Sequence, residues 1–326
     1  MKGIRDVGEQ FVHAIEQQTW LDGMARPLQK ALGFLFGGMG AFSRGAKNVA
    51  SGKWLGHPVH PAITDVPIGS WAAAVALDTV DAASGGSRPA RDAAHLATVV
   101  GCCAAIPTAL TGAHDWQYLD GETKRIGLVH ALFNSGALAA FGASLAMRKP
   151  GMEKRARAAR CAGITLAVAG AYLGGHLVYR RRIGVDRSDH RQRPRTFVPV
   201  LDDSELREGE PKRVVAERVP IVLVRHNGGV YALGERCAHL GGPLSEGELK
   251  GDSIVCPWHG SRFALADGRV LEGPATADQP CFETRVRDGK IEVRWVESRE
   301  LQAAHAREHE RQREIEESFE TRTEHG

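Results

Sequence analysis

Cys237-Ala-His239-Leu-Gly-Gly242 and Cys256-Pro-Trp-His259-Gly-Ser261 are the two stretches on which the reading of this chain turns, and sixteen residues separate His239 from Cys256. Each stretch supplies one cysteine and one histidine. Structural zinc motifs usually place both cysteines in one half and both histidines in the other. One of each per half suits a 2Fe–2S centre in which two thiolates hold one iron and two neutral imidazoles hold the other. Exchanging two anionic thiolates for imidazoles lowers the negative charge and raises the potential above that of an all-cysteine cluster. Zinc is the competing reading of the same four residues.

The residues around these ligands resemble the two cluster loops of the Rieske family, and Gly273-Pro274-Ala275 resembles the family's third loop, which packs over the cluster. The resemblance covers about residues 196–296. It implies that Cys237 and Cys256 bind the inner iron, that His239 and His259 bind the outer iron and face solvent, and that Ser261, Pro274, Gly242 and Trp258 form the cluster environment. Two departures from the quinol-oxidising members are informative. Gly242 and Trp258 occupy the positions of their loop-linking disulfide, and Phe263 replaces a tyrosine that donates to a cysteine sulfur. Ser261 remains as a donor toward a bridging sulfide. Fewer donors stabilise the reduced cluster less, so a ferredoxin-type centre of lower potential is expected. Lack of the disulfide suits a reducing compartment.

A stand-alone ferredoxin of this kind needs only about 100 residues, and the chain has 326. Charged residues make up 25% of it, which looks soluble, but they are unevenly placed. Four apolar stretches, about Ala62–Val80, His95–Ala113, Leu128–Met147 and Ala162–Tyr179, are each close to the ~20 residues that cross a bilayer. Small residues four apart, as at Gly136/Ala140, Gly163/Ala167 and Gly170/Gly174, allow close helix packing there. A soluble Ala-rich bundle is the alternative. The expected architecture is α + β and multidomain: an N-terminal four-helix transmembrane bundle followed by a C-terminal all-β Rieske domain. Its segments are an amphipathic region (1–56), the bundle (57–182), a basic linker (183–195), the Rieske domain (196–297) and a charged, solvated tail (298–326). Flanking basic residues number twelve on one side and eight on the other. The positive-inside rule then places both termini and the Rieske domain in the cytoplasm, anchored in the bacterial inner membrane. Residues 1–30 lack the short apolar core of a signal peptide.

His57 and His60 precede the first stretch, His114 closes the second, His130 opens the third and His176 ends the fourth. All five fall at one membrane face. Ionisable residues at membrane depth are costly and often functional, so the set could hold a b-type haem or a metal ion. For each alone, helix capping or headgroup contact is the plainer account. The segment His57-Pro-Val-His60-Pro with Asp65 and Pro67-Ile-Gly, together with Thr111-Gly-x-x-Asp115-Trp and Gly174-Gly-x-x-Val-Tyr179, resembles a bacterial four-helix membrane domain of unknown function.

In the C-terminal part, Pro220–Arg225 and Val230–Leu233 flank Asn227-Gly228, and Phe282–Arg287 and Lys290–Trp295 flank Asp288-Gly289, both strong hairpin signals. Ser253–Cys256 and Arg262–Leu265 read as strands of the cluster-binding subdomain. The function expected is one-electron transfer between a redox protein partner and another acceptor. Membrane lipid is an expected contact and quinone a candidate one; no nucleic-acid partner is expected. A multi-centre quinone oxidoreductase and a redox sensor are the alternatives. Only about 30 mostly charged residues follow the Rieske segment, too few for the mononuclear-iron domain of a Rieske oxygenase.

Overall fold

Alanines packed around Trp71 and Phe141 inside, and many large aliphatic side chains outside, set the character of the long N-terminal helices. The computed structural model describes residues 4–37, 40–147, 149, 151–188 and 194–296. The expected tail at 298–326 and the middle of the basic linker lie outside them. The chain divides into two units, Met1–Gly184 and Val185–Gly326.

In the first unit, α1 (Ile4–Glu16), α2 (Leu21–Gly37), α3 (Gly40–Ser51) and the short α4 (Val59–Ile63) precede four long helices, α5 (Asp65–Ala83), α6 (Arg88–Trp116), α7 (Gly121–Ala146) and α8 (Glu153–Tyr179). Helix α5 packs on α6 and α8, and α7 packs on α6 and α8. Ala74, Ala94, Ala105, Ala137 and Ala167 are buried, while Val66, Val80, Leu96, Ile106, Leu110, Leu132 and Val168 are exposed. That arrangement inverts a water-soluble bundle and is what helices packed in lipid use. Helices α6, α7 and α8 are long and apolar enough to cross a membrane. The fourth expected span, α5, is not among these three. It carries Asp78 and Asp81, both buried. Asp78 accepts two 2.6 Å hydrogen bonds from the Arg160 guanidinium of α8. Asp81 accepts from the Ser87 N–H at 2.6 Å and faces Arg91 at 3.2 Å.

The amphipathic N-terminal region folds as three helices before α4. Helix α2 docks through Asp22, which takes Arg125 Nε at 3.1 Å and Nη2 at 2.9 Å and lies 3.4 Å from Lys124. The Arg125 hydrogen bond and the Lys124 charge hold the Asp22 carboxyl down at about 2. Gln29 Nε2 donates to the Leu119 carbonyl at 2.8 Å, fixing the same helix to the α6–α7 turn.

The second unit is antiparallel β. A six-stranded sheet runs in the order β1 (Val198–Asp202), β10 (Lys290–Trp295), β9 (Cys281–Arg287), β4 (Gly229–Gly234), β3 (Val219–His226), β2 (Lys212–Ala216). A four-stranded sheet runs β5 (Glu248–Leu249), β6 (Ser253–Val255), β7 (Arg262–Ala264), β8 (Val270–Glu272). Both hairpins fall where Asn-Gly and Asp-Gly predict them. Asn227 and Gly228 have φ of 52° and 77°, and Asp288 and Gly289 have 50° and 74°, the left-handed pair a type I′ turn requires. Strand β3 is buried on both faces. Ile221 and Leu223 pack with Phe282, Ile291 and Val293, whereas Val222 and Val224 pack with Ile254, Phe263, Cys237 and Cys256. The second core seats the small sheet, and with it both cysteine-bearing loops, on the large one.

Candidate iron–sulfur site

Two loops of one design carry the four predicted ligands. The first leaves β4 at Gly234, and the second joins β6 to β7. In each, the residue four after the cysteine bonds back to it: Gly241 N–H donates to the Cys237 carbonyl at 2.8 Å, and Gly260 N–H donates to the Cys256 carbonyl at 3.0 Å. Both glycines take positive φ, 83° and 71°, a conformation that costs other L-residues. Cys237 N–H donates to the Gly242 carbonyl at 2.9 Å and Cys256 N–H to the Ser261 carbonyl at 2.8 Å.

The side chains pair by element. Cys237 and Cys256 are buried and in hydrogen-bond contact with each other. The His239 and His259 rings lie 5.1 Å apart, nearly perpendicular, and both are half-buried at the surface. Two imidazoles on one tetrahedral metal, each at about 2.1 Å, put their ring centres about 5 Å apart. Among the described residues, no three His, Cys, Asp or Glu side chains converge on a single-ion position. Two sulfurs on one side and two imidazoles on the other fit a two-iron cluster better than a lone zinc.

Donors surround the sulfurs. The Cys237 thiol donates to Cys256, and the backbone N–H groups of Trp258 and His259 bond it as well; together they draw the Cys256 thiol down to about 7. That same bond between the thiols, with burial, pushes Cys237 up. The Ser261 hydroxyl bonds the Cys237 sulfur and accepts from Ala275 N–H at 2.9 Å. The third loop, with Pro274, is thereby tied to the second. At Gly242 a Cβ would lie 2.9 Å from Cys256 Sγ and 3.0 Å from the Trp258 ring, so only glycine fits. Trp258 is 56% exposed beside His259. None of the six cysteines forms a disulfide.

One supporting residue was missed. Gln279 is fully buried. Its Nε2 donates to the carbonyls of Gly234 at 2.7 Å and Arg236 at 2.6 Å, and its Oε1 accepts from Ala238 N–H at 3.1 Å. It braces the first loop on both sides of Cys237. The only signal in the sequence is a polar residue set in the stretch Gln279-Pro-Cys-Phe282. Glu235, also buried, accepts from the Ser245 hydroxyl at 2.6 Å, and burial raises its carboxyl above the usual range.

The five membrane-face histidines do not assemble as one set. His57 is exposed. His114 is fully buried against Phe36, with Nδ1 3.1 Å from Asp115 Oδ1. His176 is half-buried on α8. His60 and His130 alone of the five meet, at 6.2 Å between ring centres.

Residues 196–283 match the Rieske [2Fe-2S] domain, and residues 56–187 match a predicted membrane protein family, DUF2231. Ferredoxin CarAc of Metapseudomonas resinovorans is 36% identical over 100 residues, which are 30% of this chain and 92% of that one. The 3-phenylpropionate/cinnamic acid dioxygenase ferredoxin subunit of Escherichia coli K12 is 37% identical over 94 residues, 28% of this chain and 85% of that one. Human Apoptosis-inducing factor 3 is 32% identical over 95 residues, and the chain spans only 16% of its length. The solved ferredoxin of carbazole 1,9a-dioxygenase from Nocardioides aromaticivorans IC177 is 25% identical with a TM-score of 0.30, covering 31% of this chain and 99% of that one. Carrying a domain that two ferredoxin relatives match over 92% and 85% of their length, joined to a predicted membrane domain, the chain belongs to the Rieske [2Fe-2S] family.

Proposed function

We propose that this protein is a membrane-anchored one-electron carrier. Cys237 and Cys256 hold the inner iron of a 2Fe–2S cluster and His239 and His259 the outer one. The cluster supplies reversible uptake of a single electron. The observation that carries the assignment is the separation of the site into a buried sulfur pair and a surface imidazole pair at 5.1 Å. His239, His259 and the exposed Trp258 offer the face a redox protein would meet.

Helices α5–α8 form the anchor, with both termini and the β domain on the cytoplasmic side of the inner membrane. The basic flanks and the absence of cysteine cross-links support that placement. The Ser261 hydroxyl and the N–H groups on the sulfurs stabilise negative charge there, while Phe263 offers no donor, which supports a potential below that of the quinol-oxidising kind. Relatives named as ferredoxins and ferredoxin subunits of dioxygenases point to a reductase as donor and an oxygenase-type protein as acceptor.

Electron paramagnetic resonance of the dithionite-reduced full chain tests the assignment. The wild type should give the rhombic signal of a cluster with mixed ligation, and His259→Ala should abolish it. A signal retained in His259→Ala would show that this histidine is not a ligand.

A further inference from the structure

The bundle is an internal repeat, and its repeat places two histidines in one position. His60 packs over Gly112 of α6, where a Cβ would lie 2.7 Å from the ring. Eleven residues on, Trp71 packs over Gly101, eleven residues back along α6, at 2.5 Å. In the second half His130 packs over Gly174 of α8 at 3.0 Å, and eleven residues on Phe141 packs over Gly163 at 2.7 Å, eleven residues back along α8. Eleven residues are three helical turns, so on α6, α7 and α8 each pair marks two layers of one helix face; His60 on α4 and Trp71 on α5 keep the same spacing across the break at Thr64. The equivalent residues also meet each other. Trp71 stacks on Phe141 at 4.6 Å and 5°, and His60 faces His130 at 6.2 Å and 89°. Contact between equivalents is the mark of a twofold relation, here running along the bundle.

Both imidazoles are held in the same tautomer. His60 Nδ1 lies 2.9 Å from the Thr108 carbonyl and His130 Nδ1 lies 2.8 Å from the Gly170 carbonyl. A carbonyl only accepts, so each Nδ1 carries a proton, and in the neutral imidazole the lone pair is then on Nε2. An imidazole whose Nδ1–H is fixed on a main-chain carbonyl is the usual state of a metal-binding histidine. Asn134 Nδ2 lies 3.4 Å from both ring nitrogens of His130 and already donates to the His130 carbonyl at 2.8 Å. A metal at about 2.0–2.1 Å from each Nε2, with the nitrogen about 1.1 Å from the ring centre, separates two trans imidazoles by roughly 6.2–6.4 Å. A bare ion needs three or four protein donors, and among the described residues no third His, Cys, Asp or Glu joins this pair. An iron porphyrin needs only two, because its macrocycle supplies the rest. We propose that His60 and His130 are the axial ligands of one iron porphyrin held among α4–α8, a site independent of the iron–sulfur assignment.

The test uses the full chain from haem-replete cells, solubilised in detergent and, in parallel, titrated with hemin. Wild type should carry one porphyrin per chain, with sharp reduced α and Soret bands and a low-spin ferric signal. His60→Ala and His130→Ala should each lose it, while His57→Ala, His114→Ala and His176→Ala keep it. His130→Met should keep porphyrin but raise its potential, because thioether replaces imidazole, a change that a structural role for His130 would not produce. The iron–sulfur signal recorded in the same samples reports folding and tests the other centre separately. Broad iron–sulfur bands alone in wild type after hemin addition would overturn the proposal. So would porphyrin retained in both alanine variants, or a stoichiometric metal ion or quinone at this pair in place of porphyrin.

Discussion

Replacing Gln279 should damage the β domain far more than its place in a loop suggests. Its amide satisfies the carbonyls of Gly234 and Arg236 and the N–H of Ala238, and the side chain is fully buried. Gln279→Leu keeps nearly the same volume but leaves all three groups without partners. A buried polar group left unsatisfied costs about 1–3 kcal/mol. Some of the loss is recovered as the loop relaxes toward water, so about 3–5 kcal/mol is expected. In a domain of this size each kcal/mol moves the midpoint by roughly 4–8 °C, so the β transition should fall by at least about 12 °C. Gln279→Glu should do no better, because an acceptor oxygen would then face two carbonyls. The assay is calorimetry of the oxidised full chain, with visible absorption following cluster loss through the same transition. Loss of cluster absorption ahead of unfolding would identify the Cys237 loop as the part released first. A Gln279→Leu protein within about 1 kcal/mol of wild type, with its cluster spectrum intact, would refute the idea that these hydrogen bonds brace the loop.

Three further outcomes follow from particular contacts. Asp78→Asn leaves the buried Arg160 charge uncompensated and should cost roughly 3–5 kcal/mol, whereas Asp78→Leu with Arg160→Met should recover most of it. Thermal unfolding in detergent decides, and equal losses in single and double variants would mean the pair is not coupled. Ser261→Ala removes the hydroxyl on the Cys237 sulfur and should lower the cluster potential; an unchanged or raised value by voltammetry would count against that bond. Asp22, at about 2 in the folded chain, lies below the roughly 3.9 of an unfolded aspartate. The contribution of a depressed carboxyl is complete above the unfolded value and fades as pH falls toward the folded one. Cleavage of the 20–36 stretch by pepsin should therefore rise between pH 4 and pH 2; a stretch equally open at pH 4 would separate its docking from Asp22.

How much of this was legible in the sequence depends on how local each feature is. The hairpins could be read because Asn227-Gly228 and Asp288-Gly289 impose φ that few other pairs tolerate. The cluster loops could be read because metal chemistry fixes both residue types and spacing. Helices α6–α8 appeared as apolar stretches but extend further at their starts. The helices begin at Arg88, Gly121 and Glu153, where His95, Leu128 and Ala162 were expected, because polar first turns carry no hydropathy signal. Helix α6 begins at its cap, Ser87, which accepts from Ala90 N–H. The first stretch also hid a break: α4 ends at Ile63, and α5 starts only at Asp65. The histidines could be placed at one level but not sorted, since facing is decided by how four helices pack. Gln279 escaped because its partners are backbone groups some forty residues away.

Asp78, Asp81 and Arg160 also explain why one helix of the bundle reads as a poor membrane span. The repeat that equates His60 with His130 and Gly101 with Gly163 equates Arg160 with Thr98 and Asp78 with Arg148, so the acid–base pair is not repeated in the other half. Thr98 is fully buried and bonds its own helix at the Ala94 carbonyl. The two halves therefore match at the histidine end and diverge at the other. A charge on a lone helix in lipid is expensive, but Asp78 faces Arg160 with both of its oxygens engaged. Helix α5 is thus apolar enough only in company with α8, and its hydropathy taken alone understates its fit to the bundle. The same pairing closes the asymmetric end with an ion pair and leaves the symmetric end to two imidazoles. If the bundle holds a cofactor, that division assigns the ligand to the histidine end and the clamp to the other.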